Sequence, residues 1–342
     1  MSGYPIISLT TDYGLADGFV GACHGVIARW SPQSRIIDIS HEIPGGDITR
    51  GALVLAQTVP YLPTGVHMAV VDPGVGTTRR PVAVETENGV LVGPDNGLLP
   101  WAADELGGAR RAVTLTESRF HRHPVSHTFH GRDIFAPVAA VLAAGVAITD
   151  LGQSVAVTDL IRLPEPIAIL DEDALVAQVM HIDRFGNLQL SADRNMLDDY
   201  GETFDVNGHR AVRGDMFAAA SLNALVILID SAGKVAVAVN GGSAATYLGI
   251  ECGDVLRLEA VKTSLPQRFR VVATMHVPHL TDGVGQSPQL FGGRGKPVGG
   301  RLPVNLSRMS EGTLLGHHLG GRSDHLLVCR HAGFQPFHQC SV

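Results

Sequence analysis

The fold class of this 342-residue chain is decided by one segment, Val66-His-Met-Ala-Val-Val-Asp72-Pro-Gly-Val-Gly-Thr-Thr-Arg79-Arg80. Its first half is an apolar run typical of a buried strand, and the run ends in a carboxylate followed by a Gly/Pro turn. Other β-rich runs, such as Pro5–Thr11 and Arg35–Ile39, alternate with helical patterns over residues 5–150. This alternation predicts an α/β fold, with an N-terminal domain over residues 1–158 built on a mainly parallel sheet with helices on both faces.

Helical apolar spacing marks the segments between the strand-like runs. The predicted helices are Gly18–Trp30, Asp47–Val59, Asn96–Leu106 and Ile134–Ala144. Asp47 stands where a helix N-cap is expected, because an aspartate oxygen can accept a hydrogen bond from a free amide of the first turn.

The second half of the chain has a different pattern. Residues 159–173 are rich in proline and acidic residues and are predicted to be a linker. Short strand-like runs separated by glycine-containing turns then predict a smaller C-terminal, all-β, barrel-like domain over residues 174–260. Residues 261–342 carry seven histidines and several Gly-Gly pairs without periodicity, and we expect a poorly ordered tail there.

Charge and composition narrow the function classes. The formal net charge is −7, and residues 261–342 hold nine Lys/Arg and three Asp/Glu, so residues 1–260 carry −13. An acidic body argues against nucleic-acid binding and suits a cationic small molecule. No run reaches the ~18 apolar residues of a membrane helix, and the first residues lack a signal-peptide pattern. The four cysteines have no zinc-type spacing. A cytoplasmic protein with reduced thiols and no membrane association is expected.

Four carboxylates lie at or near the ends of strand-like runs, namely those of Asp12, Asp38, Asp72 and Asp95. In open α/β sheets, ligands bind outside the carboxyl ends of the strands. Aspartate also caps turns and helices, so each of the four has a structural alternative, and Asp38 is the one that we expect to be only structural.

A second segment, Thr128-Phe-His130-Gly-Arg-Asp133-Ile-Phe135, puts a histidine just ahead of a predicted helix. A carboxylate, a guanidinium and an imidazole together can hold and deprotonate water, and no serine or cysteine nucleophile motif accompanies them. Either Arg79 or Arg80 could turn back to orient Asp72. The glycines after Asp72 form neither a Walker nor a dinucleotide pattern, and the histidines of residues 121–130 lack an HExxH-type companion. We therefore expect neither a metal site nor a cofactor.

Five motifs resemble one family over roughly residues 5–260. They are Leu9-Thr-Thr-Asp12-Tyr-Gly-Leu-Ala-Asp17, the Asp72–Arg80 segment, Gly93-Pro-Asp95-Asn-Gly97, the His130 segment and Ile182-Asp-Arg-Phe-Gly-Asn187. The family is that of the S-adenosyl-L-methionine hydrolases, also called S-adenosylmethionine hydroxide adenosyltransferases, which are related to a fluorinase and a chlorinase. The resemblance implies a homotrimer with substrate between the N-terminal domain of one subunit and the C-terminal domain of its neighbour.

The resemblance also implies roles for individual residues. Asp72, Arg79 and His130 match the family's water-activating set, and Asp12 matches the carboxylate that holds the ribose hydroxyls. Asp17 and Asp183 match acidic groups near the methionine moiety, and we also expect Asp17 to be a helix N-cap, whether or not it contacts the ligand. The region that contacts adenine is matched by Asn187, Val239, Asn240 and Gly241.

The implied reaction is hydrolysis of S-adenosyl-L-methionine to adenosine and L-methionine, by in-line attack of activated water on C5′. The related halogenases have tyrosines in place of Asp72 and His130, and an aspartate would repel a halide. Whether Asp72 or His130 takes the proton from water stays open. The alternatives are a halogenase, a non-catalytic sensor of adenosine or S-adenosylmethionine, and a metal-dependent hydrolase built on the histidine cluster.

Overall fold

A computed structural model describes residues 3–261 of the chain. The expected poorly ordered tail lies outside these residues. In the N-terminal domain, the described helices and strands are β1 (Ile6–Thr11), α1 (Phe19–Trp30), β2 (Arg35–Ser40), α2 (Ile48–Thr58), β3 (Gly65–Val70), β4 (Pro81–Thr86), β5 (Gly89–Pro94), α3 (Pro100–Glu105), β6 (Ala109–Thr114), α4 (Ala136–Ala143) and β7 (Ser154–Val155).

These strands form one sheet in the order β2-β1-β3-β5-β4-β6-β7. Strands β2, β1, β3 and β5 are parallel, whereas β4, β6 and β7 continue the sheet through antiparallel pairs. Thr11 is paired with Val70, so the carboxyl ends of β1 and β3 lie side by side. The segments that follow these two strands, which begin with Asp12 and Asp72, therefore leave the sheet at the same edge.

Helices cover both faces of the sheet, as the sequence predicts. Met68 and Val70 of β3 pack in a cluster with α1 and α4, while Ala69 and the following Val71 pack in a second cluster with α2 and α3. Successive side chains of a strand point to opposite faces, so a strand covered on both sides is buried along its whole length. All six residues of β3 are buried accordingly.

The C-terminal domain is a closed barrel. Its elements are β8 (Ala168–Asp171), β9 (Ala174–Ile182), β10 (Leu188–Asp193), β11 (Thr203–Val206), β12 (His209–Arg213), β13 (Leu225–Ile229), β14 (Lys234–Val239), α5 (Ala244–Leu248) and β15 (Val255–Ala260). Seven strands close in the order β10-β14-β13-β12-β11-β15-β9, and β9 returns to β10. Strand β8 adds to β9 outside the ring. The barrel-like prediction is confirmed.

Several boundaries differ from the sequence prediction. Residues 168–171 of the predicted linker form β8, because they pair with β9. The helix predicted over Asn96–Leu106 begins only at Pro100, since Gly97 has a φ of +99° and the Asn96 side chain hydrogen-bonds to the Val71 carbonyl. Asp47 is the N-cap of α2, as predicted, and accepts a hydrogen bond from the Arg50 amide.

Helix α2 contacts strand β9 and so joins the two domains. Arg50 donates a hydrogen bond from Nη2 to His181 Nε2 at 2.9 Å, and Gln57 donates to Gln189 at 2.8 Å. Within residues 3–261, none of the helices has the length and apolar character needed to cross a bilayer.

Candidate active site

The turn after β3 brings Asp72 and Arg79 together. Two backbone hydrogen bonds close the turn, from Val75 to the Asp72 carbonyl and from Thr77 to the Gly74 carbonyl. Gly76 has a φ of +77°, and a Cβ at this position would lie 2.4 Å from the carbonyl oxygen of His127. Glycine is therefore required here, both for the backbone conformation and for the close approach of the loop that precedes His130.

Arg79 is the link between Asp72 and His130. Its Nε donates to both carboxylate oxygens of Asp72, at 3.1 and 2.9 Å, and its Nη2 lies 2.5 Å from Oδ2. The same Nη2 donates to His130 Nδ1 at 2.8 Å. The guanidinium also lies 5.2 Å from the ring centroid of Phe135. The three predicted residues thus form one continuous hydrogen-bonded chain.

Burial makes this chain strong and rigid. The side chains of Asp72 and Arg79 are 5% and 10% exposed. A buried ion pair is favourable only when its hydrogen-bonding groups are satisfied, and the fork of Arg79 satisfies Asp72 through several bonds. The neighbouring Arg80 turns the other way and pairs with the buried Asp95. Of the two arginines left open by the sequence, Arg79 is the one that faces Asp72.

The hydrogen bond from Arg79 determines which nitrogen of the His130 ring carries the proton. Arginine is only a donor, so Nδ1 of His130 must accept, and the neutral ring carries its proton on Nε2. Burial lowers the pKa of His130 below its ordinary value of 6.5, and the positive charge of Arg79 lowers it further. The imidazole is therefore neutral at pH 7, and its Nε2–H donates to none of the described residues.

A buried carboxylate to which the sequence analysis assigns no role, that of Asp133, stabilises the loop beside His130. His130 directly precedes a five-residue π-helical turn, Gly131–Phe135, which leads into α4. Asp133 in this turn is fully buried and accepts hydrogen bonds from Arg122, Arg132 and the Ser126 amide. These bonds outweigh the effect of burial, which would raise the pKa of Asp133, and they lower it instead. Asp133 thus anchors the loop that carries His130.

Asp12 follows β1, and Tyr13 joins its segment to the His130 segment. Asp12 Oδ2 accepts a hydrogen bond from the Gly46 amide at 2.9 Å. The Tyr13 ring packs edge-on against Phe129, and a Cβ at Gly131 would lie 2.1 Å from the Tyr13 hydroxyl oxygen. Burial raises the pKa of Tyr13 well above its ordinary value, and the nearby carboxylates of Asp12 and Asp72 contribute. Its position directly after Asp12 was the only sequence signal for it.

Asp17 lies on the exposed loop between Asp12 and α1. The N-cap of α1 is Gly18, and no side chain caps this helix, so the prediction that Asp17 is an N-cap is wrong.

The predicted barrel residues lie on two adjoining turns. Asp183 accepts hydrogen bonds from the amides of Phe185 and Asn187 and from the Asn187 side chain, all at 2.8–2.9 Å. Burial would raise the pKa of Asp183, but these bonds lower it. The amide of Ala245 donates to the Gly186 carbonyl, which brings this turn against the one that follows β14.

That second turn contains Val239, Asn240 and Gly241. Val239 is buried at the end of β14, and the Asn240 side chain donates to the Ala220 carbonyl at 2.8 Å. Gly241 has a φ of +81°, which suits glycine. The barrel residues thus form one group and the N-terminal residues another. Within residues 3–261, no hydrogen bond, ion pair or ring contact joins the two groups.

Within residues 3–261, the histidines of residues 121–130 are not part of a group of three potential metal ligands. His123 Nε2 lies 2.8 Å from the Ser118 carbonyl oxygen, and His130 Nδ1 is engaged by Arg79. His121 Nε2, by contrast, is buried and has no hydrogen-bond partner among the described residues.

Comparisons with known proteins agree with this architecture. The SAM hydroxide adenosyltransferase N-terminal domain matches residues 7–152, and the C-terminal domain of the same family matches residues 177–257. A protein of Salinispora tropica named (R)-S-adenosyl-L-methionine hydrolase is 54% identical over 260 residues, which are 76% of this chain and 100% of that protein. A fluorinase of Nocardia brasiliensis is more distant, at 27% identity over 73% of this chain and 95% of that protein.

A solved structure has the same fold. It is that of an uncharacterized conserved protein from Thermotoga maritima, with a TM-score of 0.68 and 30% identity over 74% of this chain and 99% of that one. Both family domains match in order and together span more than half of the sequence. The chain therefore belongs to the SAM hydroxide adenosyltransferase family.

Proposed function

We propose that this enzyme hydrolyses S-adenosyl-L-methionine to adenosine and L-methionine. The observation that carries the proposal is the buried chain Asp72–Arg79–His130, which presents an oriented carboxylate and a neutral imidazole at the ligand-binding edge of the sheet. The greater identity to a protein named as a hydrolase than to a fluorinase supports water as the nucleophile.

Water attacks C5′ of the ribose opposite the sulfur. The C5′–O bond forms while the C5′–S bond breaks, the sulfur keeps the electron pair, and the water proton passes to a base. The leaving group is a neutral thioether, so it needs neither a general acid nor a Lewis acid, and we assign the reaction no cofactor and no catalytic metal. Alignment of water, C5′ and sulfur is then the main contribution of the protein, and oriented reactants can supply ~7–11 kcal/mol.

We assign the base role to Asp72. His130 Nδ1 already accepts from Arg79, so its free nitrogen is a donor that can orient the oxygen of the attacking water but cannot take its proton. Asp72 is acceptor-only when ionised and keeps lone pairs beyond those used by Arg79. Arg79 fixes the positions of the Asp72 carboxylate and the His130 imidazole, and it stabilises the developing hydroxide.

The remaining residues are assigned to substrate binding. Asp12 accepts from both ribose hydroxyls with the oxygen sites not used by Gly46. Asp17 and Asp183 attract the ammonium end of methionine, and Asn187, Val239, Asn240 and Gly241 line the adenine pocket.

We further propose a homotrimer whose sites combine the N-terminal group of one subunit with the barrel group of the next. Large apolar side chains are exposed beside both groups: Leu15 is 68% exposed near Asp12, while Phe185 and Leu222 are 70% and 73% exposed on the barrel. Exposed apolar residues clustered beside polar sites are typical of interfaces.

A mixing experiment tests the shared site. Asp72→Ala and Asn187→Ala chains are co-expressed in equal amounts and purified as oligomers of measured mass. If each site draws on two subunits, random mixing leaves about a quarter of the sites with both halves intact, and a matching fraction of wild-type activity returns. No gain over the two separate variants would place both halves of the site in one chain.

The relatives are named for the (R) sulfonium form, and we propose the same preference for this chain. The two epimers place the sulfonium methyl on opposite sides, so a pocket shaped for one disfavours the other. We place the reaction in the cytoplasm, where Cys23 and Cys252, both free thiols, stay reduced.

The test of the function is incubation of the purified protein with mixed S-adenosylmethionine epimers in halide-free, chelator-treated buffer. We expect adenosine and methionine in equal amounts, faster loss of the (R) epimer, and no turnover by Asp72→Ala. Asp150→Asn, on an exposed carboxylate of the same domain, is the matched control. Binding without product would support a sensor, product only with added halide a halogenase, and activity lost to chelator a metal-dependent hydrolase.

A further inference from the structure

Three potential metal ligands meet outside the Asp72 site, at the far edge of the parallel strands. His24 lies on α1, Asp38 on β2 and His41 just after β2. His24 Nε2 is 2.9 Å and His41 Nε2 is 3.0 Å from the same carboxylate oxygen, Asp38 Oδ1. One ligand atom from each residue lies within 4.8 Å of the other two.

His41 is the decisive residue of the three. Its side chain is 3% exposed, and its Nε2 lies 3.0 Å from Asp38 Oδ1 without a well-aligned hydrogen bond to any of the described residues. A buried ring nitrogen whose contact with a carboxylate is poorly aligned is incompletely satisfied. Its other nitrogen, Nδ1, is 2.8 Å from the Thr11 hydroxyl. Metal-bound histidines have this arrangement, in which one nitrogen faces the ion and the other is fixed by a polar group.

We propose that His24, Asp38 and His41 bind a divalent transition-metal ion of the zinc class. Ligand atoms about 2.0–2.2 Å from such an ion are separated by about 3.0–3.5 Å, close to the measured Asp38–histidine distances. Two imidazoles favour zinc-class ions over Mg²⁺ or Ca²⁺, which prefer oxygen ligands. His24 and Asp38 are partly exposed, so the ion can enter from solvent.

The ion would be structural and would stiffen the segment that carries Asp12. The His41 carbonyl accepts a hydrogen bond from the Gly14 amide at 2.7 Å, and Thr11, the partner of the His41 ring, also accepts from the Tyr13 amide. The site therefore lies behind the loop of Asp12 without touching the reacting groups. This proposal does not depend on the hydrolase activity.

The test uses the full chain, stripped with chelator and dialysed. Zn²⁺ binding is measured by titration calorimetry, Co²⁺ binding by visible absorption, and unfolding by thermal melts. We expect His24→Ala and Asp38→Asn each to lose one bound Zn²⁺ per chain, or to weaken it at least about a hundredfold. The Tm of wild type should rise by about 5–10 °C at a hundredfold excess over Kd.

The control is His209→Ala, which removes an exposed histidine of the barrel and should keep the site. Zinc binding is compared between variants because the seven histidines of residues 261–342, which can also bind zinc, are present in all of them. Both His24→Ala and Asp38→Asn change partly exposed residues, so loss of folding does not obscure the result. Equal zinc stoichiometry and affinity in wild type and His24→Ala would overturn the proposal. So would equal stabilisation of both by Zn²⁺.

Discussion

Replacing Arg79 with lysine keeps the positive charge but removes the fork that joins Asp72 to His130. The arginine donates to Asp72 through Nε and Nη2 and to His130 through Nη2. Lysine has a single nitrogen on a flexible stem and can keep at most the contact with Asp72. Arg79→Lys therefore loses two hydrogen bonds, one to the carboxylate and one to the imidazole.

The expected magnitude follows from the charge of these bonds. A hydrogen bond to a charged group contributes about 1.5–3 kcal/mol, so two bonds at the lower end total about 3 kcal/mol. When the transition state loses this stabilisation, kcat should fall roughly 10²-fold. Because Arg79 is assigned to hold the catalytic groups and not the substrate, KM should change little.

The assay is the steady-state rate of adenosine formation at saturating S-adenosylmethionine, with a thermal melt of each variant. The matched control is Arg80→Lys at the adjacent position, where the arginine pairs with Asp95 after β5, and this variant should lose stability without losing kcat. If Arg79→Lys keeps kcat within about threefold of wild type, the arginine contributes less than about 1 kcal/mol and the reasoning fails.

Three further results are expected. Because the lowered pKa of His130 keeps its ring neutral, kcat/KM should be flat above pH 6.5 and fall only at lower pH, as protonation removes the acceptor for Arg79; an acid limb centred above pH 6.5 would contradict this. Burial lowers the pKa of His67 to about 4, so the unfolded state binds the proton first. Urea unfolding should therefore show up to about 3 kcal/mol of stability lost between pH 6.5 and 4, and His67→Gln should flatten that slope. Gly76→Ala should lower the Tm more than Gly249→Ala, since both have positive φ but only the first places Cβ against a backbone carbonyl; equal melts would show that the loop relaxes freely.

The sequence predicts the elements whose apolar pattern is strong. The apolar run of β3 is recognisable because this strand is buried on both faces, and β13 and β14 have the same kind of apolar run. Strands β11 and β12 have weak patterns, because β11 has only four residues and the two apolar residues of β12, Ala211 and Val212, are adjacent. Such short segments become strands only when the neighbouring strands of the barrel pair with them.

The candidate site was predictable where its residues adjoin a strand end or a motif. The choice of Arg79 over Arg80 needed the backbone path of the turn, which no pattern encodes. Asp133 and Tyr13 act through contacts with other loops, and the grouping of His24, Asp38 and His41 arises only when α1 packs beside β2. Contacts of this kind depend on tertiary packing and leave little trace in local sequence.

The closure of the barrel has an evolutionary consequence. Its seven strands pair with one another around the whole ring, and six of the seven pairings join strands that the turn at residues 183–187 does not connect. Substitutions in this turn and in the one at residues 239–242 can accumulate while the ring keeps its shape. A lineage that keeps the barrel can therefore change which small molecule it binds through substitutions in these two turns. New specificities can then arise without an intermediate that fails to fold.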